Sequence, residues 1–385
     1  MSSNSSGIVV GIDASRNRSG GARAHLAGIL DAGNPAAHGI REVHVWAFEA
    51  LLDSLPERPW LVKHSPEDLE NSLPRQLWWQ ATQLSRELTE AGCDILFTTD
   101  ASTLCRFKPM VVLSQDVLSY EPGALRHFRY SRQLLRLLAI LVVQNRAFRF
   151  ADGVIFLTHH AARVIQQSCG PLSRIAYIPH GVGEEFRLDR QAPEWPCNGE
   201  RPIRALYVSN AELYKHQWVV IQAIELLRKR EHNIAITLLG GGHGPAQRLV
   251  ERQLALSDPD GAFVRQLGFV DHEELPAYMG GADVFIFASS CEAFGITLLE
   301  AMSVGLPIAC SNRSCLPELA SDGAVYFDPE DAESIADATE QIINDENLRA
   351  SIAQRARILS ERYSWARCAD QTWTFITETF KTVKV

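Results

Sequence analysis

Short, almost purely apolar runs alternate with longer stretches of helical periodicity along the chain. In the first half these runs cover residues 8–12, 43–47, 95–98, 111–113 and 154–157. Near-continuous apolarity is typical of strands that are covered on both faces. Strands that alternate with helices indicate parallel sheets, so the pattern predicts an α/β fold.

A second series of the same kind follows a break in composition. Residues 189–202 contain three prolines and a glycine and little apolar periodicity, which is typical of a linker. New apolar runs then cover 203–208, 234–239, 284–289 and 307–310. We therefore predict two domains, 1–188 and 203–363, joined by the linker 189–202. The last segment, 364–385, has helical periodicity.

The run at 284–289 leads through a turn into a helix that is apolar on nearly every face and ends at Gly305. Glu300 is the one charged residue of this helix. A buried carboxylate costs several kcal/mol unless it is hydrogen-bonded. Glu300 therefore has either a fixed protein partner or a ligand whose hydroxyl groups it binds.

A second carboxylate, Glu292, precedes the same helix. The amides of Phe294, Gly295 and Ile296 lie near the helix start, and free amides at a helix N-terminus attract phosphate. Two carboxylates on either side of a phosphate-binding helix end suit a nucleotide sugar. The alternative is a solvated turn residue at Glu292 and a salt bridge in the core at Glu300.

This arrangement of Glu292 and Glu300, eight residues apart with Phe-Gly-Ile between them, resembles the signature of the retaining glycosyltransferases of family four (GT4). The resemblance implies the GT-B fold, in which two Rossmann-like domains with parallel sheets face a cleft. It also implies that the helix in 364–385 crosses back to pack on the first domain.

The resemblance assigns roles to residues in several loops. Glu292 and Lys215 are the expected catalytic residues, Glu292 by orienting the donor sugar and Lys215 by stabilising the departing diphosphate. Glu300 would hold the ribose hydroxyls. The expected donor-binding residues are Gly20, Gly21, Asn210, Lys215, Gly241, Phe269, Val270, Glu292, Phe294, Gly295, Ile296, Thr297 and Glu300. Arg16, Gln115 and Asp116 are expected to contact the acceptor or the sugar. Two positions depart from the family pattern, because Asn210 replaces an arginine and Gln115 replaces a histidine.

Composition narrows the class of protein. Hydrophobic residues make up 46% and charged residues 22% of the chain, as in ordinary soluble proteins. The net charge of −9 gives no general attraction to nucleic acid. Residues 1–6 lack the basic and apolar regions of a signal peptide, and the cysteines lack metal-ligand spacing. We expect a cytoplasmic protein with no metal site and no cofactor.

Residues 125–150 predict a basic amphipathic helix, with Arg126, Arg129, Arg132 and Arg136 at helical spacing. Such a helix can lie on an anionic membrane surface. The alternative is an ordinary helix with one solvated basic face. On the first interpretation the protein associates peripherally with the inner face of the membrane and acts on a lipid-linked sugar.

The expected function is transfer of a sugar from a UDP-, GDP- or ADP-linked donor to a hydroxyl group of a glycan or lipid-linked glycan. The resemblance implies that the anomeric configuration of the sugar is retained, so the product has an α-glycosidic bond. The expected setting is bacterial envelope polysaccharide or lipopolysaccharide synthesis. Two alternatives stay open at this point. One is a sugar-nucleotide epimerase of the same fold, and the other is an inactive nucleotide-sugar-binding protein, which the departure at Asn210 makes conceivable.

Overall fold

The chain forms two compact units in the computed structural model, which describes residues 7–18, 20–128, 131–188, 195–196 and 201–384. The first unit is Met1–Gly181 with Tyr363–Val385, and the second is Val182–Arg362. The division therefore precedes the predicted linker 189–202, most of which lies outside the described residues. Phe186 explains this position, because it is fully buried within the second unit and packs edge-on against His272.

The first unit contains a seven-stranded sheet in which every pairing is parallel. Its strands are β1 (Ile8–Asp13), β2 (Ile40–Trp46), β3 (Leu61–His64), β4 (Ile95–Thr98), β5 (Met110–Ser114), β6 (Gly153–Phe156) and β7 (Ile175–Tyr177). The strand order is β3-β2-β1-β4-β5-β6-β7. The order reverses beside β1, and ligands of open parallel sheets bind at such a point, beyond the carboxyl ends of the strands.

Six helices of the first unit connect these strands. They are α1 (Gly21–Asp31), α2 (Glu49–Leu52), α3 (Leu73–Thr82), α4 (Leu84–Glu90), α5 (Arg132–Phe150) and α6 (His159–Cys169). Helix α5 begins later than the predicted 125–150, because Ser131 caps it by accepting a hydrogen bond from the amide of Leu134. The 3-10 helix Ala124–Phe128 precedes it, and Arg129 lies outside the described residues.

The second unit repeats this architecture with six parallel strands. Its strands are β8 (Ile203–Val208), β9 (Ile234–Leu239), β10 (Val264–Leu267), β11 (Val284–Phe287), β12 (Ile308–Ser311) and β13 (Val325–Phe327), in the order β10-β9-β8-β11-β12-β13. Its helices are α7 (Gln217–Lys229), α8 (Pro245–Ser257), α9 (Leu275–Gly281), α10 (Ile296–Val304), α11 (Leu316–Ala320), α12 (Ala332–Asn344) and α13 (Glu346–Ser360). Here the order reverses beside β8. The two parallel sheets confirm the predicted α/β class.

The final helix, α14 (Trp365–Lys384), belongs to the first unit, as predicted. It packs against α1, and Gly28 permits the close approach. A Cβ atom at Gly28 would lie 2.3 Å from the indole of Trp365, closer than any real contact. The packing of α14 on α1 therefore requires a residue without a side chain at position 28.

Alanine at Gly28 is expected to destabilise the first unit, although alanine normally favours a helix. Overpacking of this kind typically costs about 1–3 kcal/mol, so the thermal midpoint should fall by several degrees. The matched control is Gly281→Ala in α9, where a Cβ would meet no atom within 4 Å. That variant should be neutral or slightly more stable, since alanine has the higher helix propensity. Equal midpoints for the two variants would contradict the proposed packing.

Candidate functional site

An ion pair joins two loops at the carboxyl ends of the neighbouring strands β8 and β11. The Nζ atom of Lys215 donates a hydrogen bond to Oε1 of Glu292, and each side chain is 14% exposed. The two loops are also bonded through their backbones, because the amide of Ser290 donates to the carbonyl of Tyr214 at 2.8 Å. The hydroxyl of Tyr207 fixes the carbonyl of Lys215 at 2.6 Å. The two predicted catalytic residues are therefore held together and nearly buried.

A third loop, after β12, holds the backbone of Glu292. The amide of Glu292 donates to the hydroxyl of Ser314 at 3.1 Å, and this hydroxyl in turn donates to the carbonyl of Glu292 at 3.0 Å. The thiol of Cys315 donates to the same carbonyl at 3.2 Å. Ser314 and Cys315 were not among the site residues expected from the sequence. Their position just after the carboxyl end of a strand is the signal that could have found them.

The N-terminus of α10 lies directly after Glu292. Gly295 caps the helix with a φ of +91°, a conformation that glycine adopts without strain, and no side chain caps this end. Ile296 and Thr297 in the first turn are partly exposed, while the side chain of Phe294 is buried. A helix end of this kind favours anions through its dipole and its backbone amides.

Glu300 lies one turn further along α10, and its side chain is 3% exposed. Its Oε1 atom accepts a hydrogen bond from Nε2 of His272 at 2.8 Å. Its Oε2 atom is buried and has no hydrogen-bond partner among the residues that the structure describes. Burial raises the pKa of Glu300, and the hydrogen bond to Glu300 raises the pKa of His272. Glu300 therefore has one fixed protein partner and one oxygen atom left over.

The remaining donor-side candidates of the second unit lie on loops after β8, β9 and β10. Asn210 is exposed, and the amide of Ala211 beside it donates to the carbonyl of Gly241 at 3.1 Å. Gly240 has a φ of +101°, and a Cβ atom there would lie 2.4 Å from the carbonyl oxygen of Ser209. The first glycine of this loop is thus required by close backbone packing.

Phe269 and Val270 follow β10. The side chain of Phe269 is 84% exposed, and Val270 is partly exposed. An aromatic ring so exposed offers an unusual amount of apolar surface beside a candidate ligand site.

In the first unit the loop after β1 is fixed by Asp13, which is fully buried. Its carboxylate accepts hydrogen bonds from the hydroxyl of Ser15 and the amide group of Gln80, both at 2.6 Å. Burial raises the pKa of Asp13. Asp13 was not among the site residues expected from the sequence, although a polar side chain at the end of an otherwise apolar strand was a signal.

The same loop carries three of the predicted residues, Arg16, Gly20 and Gly21. The Nη1 atom of Arg16 is shielded from solvent and finds no hydrogen-bond acceptor within the described parts of the chain. Gly20 has a φ of +62° and Gly21 begins α1. An unpaired guanidinium nitrogen next to a helix start is suited to an anionic ligand.

Gln115 and Asp116 follow β5. The side-chain amide of Gln115 donates to the carbonyl of Thr99 at 2.9 Å, so Gln115 ties this loop to the loop after β4. Asp116 is exposed and accepts a hydrogen bond from the amide of Leu118 at 2.8 Å. The structure thus places the acceptor-side candidates in the first unit and the ion pair and Glu300 in the second.

Comparison with known proteins gives a family match within the second unit. Residues 193–359, which make up most of that unit, match the family model of group 1 glycosyl transferases. The predicted resemblance to the family-four glycosyltransferases is therefore confirmed.

Two curated relatives give the extent of the similarity. The O-antigen chain mannosyltransferase B of Escherichia coli is 33% identical over 168 residues, which are 44% of this chain and 44% of that protein. The D-inositol 3-phosphate glycosyltransferase of Paenarthrobacter aurescens (strain TC1) is 25% identical over 340 residues, which cover 81% of this chain and 76% of the relative. The match to the mannosyltransferase thus spans less than half of either chain.

A solved structure shows the same fold across nearly the whole chain. Anabaena HepE (Alr3699), crystallised with UDP-glucose, superposes with a TM-score of 0.72 at 19% identity, covering 97% of this chain and all of that one. The chain therefore has the GT-B fold that the sequence predicts.

The pairing of Glu300 with His272 predicts a decline in stability above neutral pH. The stability that comes from the raised pKa of His272 is complete below its ordinary value of 6.5 and is lost as the pH rises through the higher folded value. The raised pKa of Glu300 acts in the same direction. Its contribution to stability is complete below the ordinary value of 4.5 and is lost as the pH rises through the higher folded value. Glu300→Gln removes the titration of Glu300 and the largest cause of the raised pKa of His272, so its thermal midpoint should fall less steeply between pH 6.5 and 8.5.

The matched control for this experiment is Glu251→Gln, which changes an exposed glutamate of α8. It should reproduce the pH dependence of the unmodified protein. Identical slopes for all three proteins would show that the Glu300 pair does not titrate in this range.

Proposed function

We propose that the protein transfers a sugar from a nucleoside-diphosphate sugar to a hydroxyl group of a glycan or lipid-linked glycan, with retention of configuration and an α-glycosidic product. The observation that carries the proposal is the ion pair of Lys215 and Glu292 at the uncapped start of α10. The buried, unpartnered Oε2 atom of Glu300 on the same helix supports it.

Lys215 and the first amides of α10 would bind the diphosphate of the donor. Negative charge develops on this group as the glycosidic bond breaks, and prearranged positive charge stabilises the transition state. In the structure Lys215 is neutralised by Glu292. A bound diphosphate would replace one anionic partner with another, so Lys215 would remain compensated throughout.

Glu292 would then be released to accept hydrogen bonds from hydroxyl groups of the donor sugar and to fix its orientation. The hydrogen bonds from Ser314 and Cys315 to its backbone keep the loop in place while the side chain changes partner. We further propose that Asn210, Gly241, Phe269 and Val270 complete the donor site.

Glu300 would hold the ribose through Oε2, which is the one carboxylate oxygen left without a partner. His272 acts as a positioning residue, because its hydrogen bond to Oε1 orients the carboxylate and compensates its charge. Burial raises the pKa of Glu300, and the hydrogen bond from His272 works against that shift and favours the ionised carboxylate.

In the first unit, Gly20 and Gly21 are proposed to contact the donor, and Arg16, Gln115 and Asp116 are proposed to contact the acceptor or the transferred sugar. The unpaired Nη1 atom of Arg16 supports an anionic group there. Asp116 is exposed and can accept hydroxyl protons, whereas Gln115 already donates to a backbone carbonyl.

The comparisons support a choice among donors and acceptors. HepE was crystallised with UDP-glucose, and this makes UDP-sugars the first donors to test. The name of the Escherichia coli relative gives mannosyl transfer to an O-antigen chain, so an acceptor from envelope polysaccharide synthesis is proposed here.

Donor identity can be tested by thermal shift with UDP-, GDP- and ADP-sugars. A ligand that binds only the native state raises the thermal midpoint, by the equivalent of about 2.7 kcal/mol at a hundredfold excess over Kd. One nucleotide series should stabilise the protein, and the Glu300→Gln variant should need a higher concentration of it. The absence of any shift at millimolar concentrations would contradict the donor site.

The catalytic assignment predicts that Glu292→Gln and Lys215→Met each lower kcat by about 10²- to 10³-fold, as the loss of one charge-stabilising group typically does. Glu300→Gln should act mainly on the KM of the donor, because ribose contacts are equal in the ground and transition states. Transfer is measured as nucleoside diphosphate release that depends on acceptor.

Glu251→Gln, at an exposed site, is the control and should retain full activity. Normal turnover in Glu292→Gln would contradict the proposed mechanism. Isomerisation of the donor without any transfer would contradict the transferase itself and indicate an epimerase.

A further inference from the structure

His216 follows Lys215 directly and has a backbone conformation that is uncommon for a residue with a side chain. Its φ is +49° and its ψ is +31°, in the left-handed region that glycine adopts without strain. Four non-glycine residues of the described chain have a positive φ, and two of them, His216 and Ser314, bond to the segment 290–292. Backbone strain persists only where surrounding contacts hold it, and it is concentrated at functional sites.

The imidazole ring of His216 is buried and reaches the loop that carries Glu292. His216 is 2% exposed, and its Nε2 atom lies 2.9 Å from the hydroxyl oxygen of Ser290. This hydroxyl donates its one hydrogen to the carbonyl of Tyr214 at 3.3 Å, so it accepts a hydrogen bond from His216. Trp218, in the first turn of α7, packs against the ring at a centroid distance of 5.5 Å. The Nε2 atom of His216 therefore carries a proton and acts as a donor.

The hydrogen bond between His216 and Ser290 joins the same two loops as the ion pair of Lys215 and Glu292, but it involves neither of these charges. A ligand that takes the place of Glu292 beside Lys215 leaves it intact. The neutral and the protonated imidazole both donate through Nε2, so the bond also survives protonation of His216. The two loops therefore stay connected when the ion pair opens.

We propose that His216 is a positioning residue of the transfer reaction, which keeps the loops of Lys215 and Glu292 in register after the ion pair has opened. This role rests on the proposed function, in which Lys215 holds the diphosphate and Glu292 holds the sugar. Their separation has to match the donor as the glycosidic bond breaks. A misplacement of about 1 Å can lower a rate by about 10²-fold, so a hydrogen bond that joins both loops affects turnover.

A role for His216 in acid or base catalysis fits the structure less well. Its ring is buried between the two loops, its Nε2 atom is bonded to Ser290, and Trp218 packs against it. The two roles differ in what they require. A positioning residue needs only a hydrogen-bond donor at this place, whereas an acid or base has to exchange a proton with the substrate.

Variants at both ends of the hydrogen bond test the proposal. Asparagine tolerates the left-handed conformation but is too short to bring a donor to Ser290. His216→Asn and Ser290→Ala should each lower kcat about tenfold, as the loss of one hydrogen bond can do, and change the KM of the donor less than about threefold. The double variant should fall no further, because both changes remove the same bond.

Glutamine at position 216 separates positioning from proton exchange. Its amide nitrogen lies about as far from the backbone as Nε2 of histidine, and it donates without titrating. His216→Gln should therefore recover most of the kcat lost in His216→Asn and keep the pH profile of the unmodified protein. A purely structural role would lower the thermal midpoint and leave kcat unchanged at temperatures well below it.

The matched control is Thr374→Ala in the first unit. Thr374 and Nδ1 of His38 form another hydrogen bond between a hydroxyl group and an imidazole, at 3.2 Å, and the change removes its hydroxyl group. This variant should retain the kcat of the unmodified protein.

Normal kcat in folded Ser290→Ala and His216→Asn would overturn the positioning role while the transferase remains. Ser290→Ala removes a single hydroxyl group, so it decides the question if His216→Asn does not fold. Failure of His216→Gln to restore turnover, or loss of one limb of its pH profile, would also overturn the role. Absence of acceptor-dependent nucleoside diphosphate release by the unmodified protein would overturn the proposed function together with it, and this measurement distinguishes the two cases.

Discussion

The ion pair between Lys215 and Glu292 determines how the candidate site is built. Removing two charges from water is expensive, and the cost is recovered only when the partners are well placed. Here they are placed by the backbone, because the loops after β8 and β11 leave adjacent strands and are bonded to each other through Ser290 and Tyr214. Breaking the pair would leave a buried charge uncompensated. On the function proposed above, a diphosphate would take the place of Glu292 beside Lys215, and sugar hydroxyl groups would take the place of Lys215 beside Glu292, so neither charge would lose its partner.

Helix α10 adds the second constraint. Its all-round apolar surface requires burial, and burial places Glu300 in a medium where a free carboxylate is unfavourable. His272 satisfies one oxygen atom of Glu300 and no described residue satisfies the other. A buried polar group without a partner is rare in native proteins and points to a functional role or to a bound water or ion. The apolar surface that causes α10 to be buried therefore also buries Glu300, and the buried carboxylate needs a polar partner.

Most of the fold follows from local pattern, and the exceptions share one cause. The predicted strands correspond to β1, β2, β4, β5 and β6 in the first sheet and to β8, β9, β11 and β12 in the second. The strands that the pattern missed are β3, β7, β10 and β13, and these are the edge strands of the two sheets. An edge strand has a neighbour on one side only and is partly exposed, so its sequence lacks the continuous apolar run of a covered strand.

The sequence by itself determined the central strands, the apolar helix with its single acid, the spacing of Glu292 and Glu300, and the family. These features are encoded in residues that are neighbours along the chain. Only the tertiary structure decided that Ser314 and Cys315 hold the backbone of Glu292, that His272 pairs with Glu300, and that α5 turns leucines as well as arginines toward solvent. Those facts depend on contacts between residues distant in sequence, or on which face of a helix packs against the core. Neither produces a local periodicity in the sequence.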